Sequence, residues 1–246
     1  VLAIGMSQMI MAPFTSVWDN LPQPVNSVQP KTFEAYGQDY GFILYKTELI
    51  GHKKGKLTVT DIHDYATVFL NGIYLGKLDR REGINTIDIP ETNVEFPVLE
   101  ILVEGMGRIN FAQNLIDRKG ITDRVTLNGM TLMNWTVYNL PMDRKFIYNL
   151  RSSGKTHNKP GIFFKANFIL SSAGGNISSD TFIDLSNYIK GFVWVNGHNL
   201  GRYWSIGPQK RLYCPGSWLR EGMNEIIIFD LHQIEAKPIT SAPTLE

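Results

Sequence analysis

Cysteine is almost absent from this chain. Cys214 is the single thiol in 246 residues, so no internal disulfide can form, and the count leaves the compartment open. Charge of either sign is not in excess. Lys and Arg number 24 against 23 Asp and Glu, a net charge of +1, so the chain lacks the electrostatic footprint of a nucleic-acid or anionic-membrane binder. No apolar run approaches the roughly 18–20 residues of a membrane-spanning helix. Histidine is sparse, with 5 scattered residues (His52, His63, His157, His198 and His232) and no second His or Cys at ligand spacing. No dense Asp/Asn cluster suggests a Ca²⁺ loop. Neither a metal nor a cofactor is therefore expected. The chain has no initiator Met, and Val1–Ala12 lacks the basic region of a signal peptide, so it is read as starting partway through a longer polypeptide.

A helical period is missing too: no stretch keeps it for more than two turns. What is present is a series of short strand-like runs. Phe42–Tyr45, Lys56–Thr60, Ala66–Leu70, Ile84–Ile89 and Val98–Val103 are rich in β-branched and aromatic residues. Gly, Asn, Asp or Pro separate them at intervals of roughly 8–12 residues, as in an all-β sandwich. The 22 glycines and 12 prolines fit many turns. Leu21-Pro22-Gln23-Pro24 and Gln29-Pro30 break regular structure near the start.

The scheme is used twice. Tyr40–Lys46 is echoed by Pro160–Lys165, and Gly83-Ile84-Asn85 by Gly222-Met223-Asn224. Between these landmarks, Ala66-Thr-Val-Phe-Leu-Asn71-Gly72-Ile-Tyr-Leu75-Gly76-Lys77 returns as Gly191-Phe-Val-Trp-Val-Asn196-Gly197-His-Asn-Leu200-Gly201-Arg202. Order is kept while the spacing grows, as in two copies of one domain. The largest insertion falls between Trp204 and Leu219. Each motif reads as strand, Asn-Gly turn, strand, the turn needing positive φ. Val193 and Val195 are expected to face the core and Trp194 the other side. The fold expected is all-β, two tandem jelly-roll β-sandwiches. Residues 1–31 are read as a connector, 32–128 as the first sandwich and 129–246 as the second, with the break near Asn128-Gly129.

Tyr40–Thr47, Gly105-Met-Gly-Arg108-Ile-Asn110-Phe111, Asn114-Leu-Ile-Asp117-x-x-Gly120-Ile121, Val195–Trp204 and Gly207-Pro-Gln-x-x-Leu-Tyr-x-Pro215 together resemble the C-terminal half of family 35 β-galactosidases. The likeness runs from about Leu21 to Leu231. In that family a catalytic (β/α)₈ barrel precedes two galactose-binding-like β domains. The resemblance implies that this chain is those two domains, with the barrel of the same polypeptide as its partner. Retaining glycosidases of this kind use two carboxylates about 5 Å apart, and the family's pair sits on the barrel. Glu48, Glu100, Glu104 and Asp230 are accordingly read as surface salt-bridge or turn residues. The chain alone is expected to be inactive.

The resemblance also marks a substrate-pocket rim at Arg108, Asn110 and Phe111. The family's usual Tyr is Phe111 here, which can stack on a sugar face but cannot donate a hydrogen bond. Asn196, His198, Arg202, Tyr203 and Trp204 are carbohydrate-binding candidates, with scaffold roles as the competing reading. Two functions stay open: non-catalytic support of a β-galactosidase barrel, or an autonomous module binding galactose-containing glycans. Galactosides are the partners implied, and copies of the chain could also associate as a homo-oligomer. The resemblance implies a periplasmic, secreted or lysosomal-type setting. Cys214 is read as a buried apolar thiol. Asn134-Trp-Thr136 and Asn176-Ile-Ser178 are formal glycosylation sequons.

Overall fold

A computed structural model describes residues 8–171 and 179–245. The chain falls into two compact units: Leu21–Phe146, and the described residues up to Asn20 together with those from Ile147 on. Each is an antiparallel β-sandwich, and among the described residues the only α-helix is the single turn Arg144–Tyr148. Asn176 of the second sequon lies outside the described residues.

In the first sandwich, six strands run in the order Val25–Ser27, Trp135–Leu140, Phe42–Glu48, Val98–Glu104, Tyr65–Leu70 and Ile73–Asp79. A four-stranded sheet of Met130–Thr131, Val125–Leu127, Gly55–Val59 and Thr86–Ile89 completes it. Strand alternation divides the side chains. Ile43, Tyr45, Val68, Ile101 and Val103 enter one buried cluster with Leu57, Val59, Val125 and Leu127. Phe42, Leu44, Phe69 and Leu102, on the opposite face of the six-stranded sheet, are buried as well.

In the second sandwich, five strands run in the order Ala12–Ser16, Ile162–Leu170, Gly222–Asp230, Lys190–Val195 and His198–Trp204. Arg211–Cys214, Thr181–Asp184 and Thr240–Ala242 form a three-stranded sheet. Val193 and Val195 join the core cluster with Phe164, Ile226, Ile228, Ile183 and Cys214. Trp194 points to the other face, where it lies against Phe163 and Phe192 with ring centroids 6.4 and 6.0 Å away.

The duplication extends to backbone detail. Asn71 and Asn196 both have φ 49°, and Gly72 and Gly197 have φ 79° and 80°. Two successive positive φ values make the hairpin turn whose twist matches the strands it joins. Two residues before each turn the register slips, between Val68 and Phe69 and between Val193 and Trp194. Asn128 and Gly129, where the sequence placed the domain break, repeat the turn at φ 51° and 80°. They join Val125–Leu127 to Met130–Thr131 inside the first sandwich.

From residue 8 on, the expected connector is largely structured. Ala12–Ser16 is an edge strand of the second sandwich, paired with Ile162–Lys165. Met9 exchanges backbone hydrogen bonds of 2.8 and 3.0 Å with Ile239, and Met9 and Met11 are in the second core. Val25–Ser27 is an edge strand of the first sandwich. The prolines at 22 and 24 interrupt only the short piece between these two strands.

Gly191 shows how tightly the second sheet is built. A Cβ there would stand 1.7 Å from the Phe229 carbonyl oxygen and 3.0 Å from the Tyr203 hydroxyl. Backbone cannot yield as a side-chain tip can. Gly191→Ala is therefore expected to destabilise the second sandwich by about 3 kcal/mol or more, read as a lower urea midpoint. An unchanged midpoint would contradict this packing.

Candidate functional site

The loop 105–119 combines a buried charged neck with an exposed apolar tip. It leaves the strand Val98–Glu104 and returns at the short strand Gly120–Ile121, which pairs with Ile62–His63. Lys119 closes the neck. Its side chain is 1% exposed, and its Nζ donates to Asp64 Oδ2 at 2.7 Å, Asp117 Oδ2 at 2.8 Å and Gly107 O at 3.0 Å. Arg80 Nη1 donates to the remaining oxygens, Asp64 Oδ1 at 2.8 Å and Asp117 Oδ1 at 2.9 Å. The amides of Met106 and Ile109 donate to Asp64 Oδ2 and Asp117 Oδ2 at 2.7 and 3.1 Å. His63 Nδ1 stands 3.2 Å from Asp117 Oδ1, and its Nε2 is 3.0 Å from Asp61.

This arrangement satisfies charges that could not otherwise be buried. Burial by itself pushes the Asp117 carboxyl up. Hydrogen bonds from Lys119, the Ile109 amide and Arg80 outweigh that and hold it well below the usual carboxylate range. Gly105 makes room for the ammonium's stem, because a Cβ there would come within 3.2 Å of Lys119 Cβ and Cγ and 3.0 Å of the Phe33 ring.

The tip is different in kind. Phe111 is 81% exposed, Leu115 62% and Ile116 84%. The three rim candidates, Arg108, Asn110 and Phe111, are all exposed on this loop. Arg108 also braces the neck, donating from Nη1 to Glu34 Oε1 at 2.5 Å and Asp117 O at 2.8 Å, and from Nη2 to Asp39 O at 3.2 Å.

The five candidates of the second sandwich do not converge on one exposed surface. Asn196 serves the turn. Its Nδ2 donates to Trp218 O and Asn224 Oδ1, both at 2.8 Å, and its Oδ1 accepts from the Glu225 amide at 2.9 Å. Tyr203 is 1% exposed, and its hydroxyl donates to Asp230 Oδ2 at 2.8 Å, with Phe229 O at 2.9 Å. The Arg202 guanidinium lies 4.9 Å from the Phe192 ring centroid, and Lys190 Nζ 4.0 Å from that of Trp204. His198 stacks on Trp218 at 4.6 Å and 16°. The Cys214 thiol is buried in the second core, and burial pushes it up to about 12.

The carboxylates read as surface groups need correction. Glu48 is exposed, but Glu100, Glu104 and Asp230 are 6%, 0% and 0% exposed. Asp230 is saturated: Oδ2 accepts from the Ile189 and Lys190 amides and Tyr203, and Oδ1 from the amides of His232 and Gln233. Sequence reasoning missed Lys119, Asp64, Arg80 and Trp218. The opposite charges of Asp117 and Lys119 beside an apolar strand start were a signal. Asp64 and Arg80 are distant in sequence and gave none.

Residues 30–141 match the family model for the β-galactosidase first all-beta domain, and residues 161–224 that for the β-galactosidase galactose-binding domain. The chain is 38% identical over 230 residues to beta-galactosidase-1-like protein 3 of Mus musculus, covering 89% of this chain and 34% of that protein. It is 37% identical over 211 residues to the beta-galactosidase of Xanthomonas manihotis, covering 83% and 33%. It thus spans about a third of the length of the curated relatives it matches.

The charged neck has a pH signature. Asp117 titrates below its unfolded value, so its contribution is complete at neutral pH. It is lost as pH falls from about 4 through the lower folded value. Asp117→Asn is expected to cost about 3–5 kcal/mol near pH 7, with the difference from the parent protein constant down to about pH 5 and shrinking below about 4. Denaturant titrations at a series of pH values measure it. A difference that vanishes already between pH 7 and 5 would contradict the depressed carboxyl.

Proposed function

The chain carries the first all-β domain and the galactose-binding domain of the β-galactosidase family, and on that premise we propose that it is the non-catalytic support of a catalytic (β/α)₈ barrel, with Phe111 at the rim of the substrate pocket. The observation that carries this reading is the loop tip. Phe111, Leu115 and Ile116 stand exposed on a loop whose neck is fixed by buried ion pairs. Burying a large apolar side chain contributes roughly 1.5–3 kcal/mol. A tip with three of them, prepositioned, is suited to seating against another domain. Phe111 would offer its ring face to the apolar side of a galactoside.

The paired carboxylates of the neck do not offer a rival active site. Asp64 and Asp117 share Lys119 and Arg80, and Asp117 is held ionised, so it has no proton to give as a general acid. Their chemistry is structural.

A second reading, sugar binding by the second sandwich, is supported by the partly exposed His198–Trp218 stack and by the description of the matched domain. Tyr203 and Asn196 argue against it, since both are occupied within the fold.

In the polypeptide that joins this chain to a barrel, Phe111→Ala is expected to lower kcat/KM on a β-galactoside about threefold to tenfold. Unchanged kinetics would remove Phe111 from the rim. The 246-residue chain alone is expected to leave a chromogenic β-galactoside uncleaved and to give no heat on calorimetric titration with galactose. Turnover would refute the supporting role directly, and a saturable heat would favour the binding module.

A further inference from the structure

We infer that Lys119 is the positioning residue of the loop 105–119: its buried ammonium ties both limbs of the loop to Asp64 and so fixes where the Phe111 tip stands. This deepens the supporting role proposed above and rests on it for its consequence in catalysis, though not for its test.

Lysine has three ammonium donors and no acceptor, and all three are used at the neck. Each acceptor belongs to a different piece of chain. Gly107 O is on the outgoing limb, Asp117 Oδ2 on the returning limb, and Asp64 Oδ2 on the hairpin beside them. The two carboxylates then hold the outgoing limb again, through the amides of Met106 and Ile109. Arg80 bridges both carboxylates from the surface side, its own side chain 34% exposed. The limbs cannot separate without leaving an ammonium or a carboxylate unpaired in a buried place.

Stability alone is a poor reason for such a cluster. Replacing a buried ion group by apolar residues of similar volume is often neutral or stabilising. What apolar packing lacks is direction. Three N–H bonds at 2.7–3.0 Å set the two limbs and the hairpin in a single geometry. The tip needs that help, because its large side chains are turned to solvent and contribute little packing of their own.

A nitroxide probe reads the tip. Phe111→Cys places a reactive thiol there, and native Cys214 stays silent because it is buried and its thiol is raised to about 12. The comparison is with Lys119→Met/Asp117→Asn in the same labelled chain. That pair removes one charge of each sign and leaves Asp64 with Arg80. The double variant is expected to keep the circular dichroism and melting behaviour of the parent. Its label should move at least about threefold faster, and its Met106 and Ile109 amides should exchange about tenfold faster or more. A folded double variant with the parent's line shape and parent-like protection overturns the inference. Should the double variant not fold, exchange in the unmodified chain decides. Met106 and Ile109 must then exchange as slowly as Leu44 and Val103 in the sheet, with Gln113 and Asn114 at the tip much faster. Neck amides as fast as the tip overturn it. Kinetics that ignore Phe111→Ala would sink the rim role while leaving these results standing, so the two failures are distinguishable.

Discussion

A carboxylate buried at the end of a sheet must be saturated with donors, and in both sandwiches that requirement decides where the loops go. In the first, Asp64 and Asp117 collect Lys119, Arg80 and two backbone amides. In the second, Asp230 collects four amides and the Tyr203 hydroxyl. An unpaired charge in either place would cost far more than a typical hydrogen bond contributes. The loops therefore follow the donors. Around Asp230 this yields a closed scaffold. Around Asp64 and Asp117 it yields a rigid stalk with an apolar head.

Duplication and divergence are visible in the same terms. The two Asn-Gly hairpins share φ values to within a degree and share the register slip before the turn. Their flanks differ. After Asn71-Gly72 come Ile73 and Tyr74, both exposed. After Asn196-Gly197 comes His198, stacked on a Trp from the insertion that the first copy lacks. The repeated part is what the backbone requires, and the divergent part is where each sandwich is free to differ.

Much of the fold was legible because its causes are local. Alternation placed Val193 and Val195 on the core face and Trp194 on the opposite one without knowledge of any partner strand. Asn-Gly dictated the hairpins. The same rule misled at Asn128-Gly129, since a turn signal says that the chain reverses but not whether a domain ends there. The first residues were misjudged for a related reason. Ala12–Ser16 carries Pro13 and a register shift between Pro13 and Thr15, which break the alternation that marks a half-buried strand.

Family resemblance marked the loop 105–119, whereas the sequence by itself determined the all-β class and the twofold use of one strand–turn–strand unit. Those follow from side-chain periodicity and turn propensity, which act over a few residues. Only the tertiary structure decided what holds that loop. Lys119 reaches Asp64 across 55 positions and Arg80 reaches Asp117 across 37, and no local pattern encodes such a meeting. It likewise buries Tyr203 and Asp230 and ties the Asn196 side chain to Trp218, Asn224 and Glu225. A polar side chain is available to a ligand only where the fold has not already used its hydrogen bonds, and that is settled by burial and partners rather than by residue type.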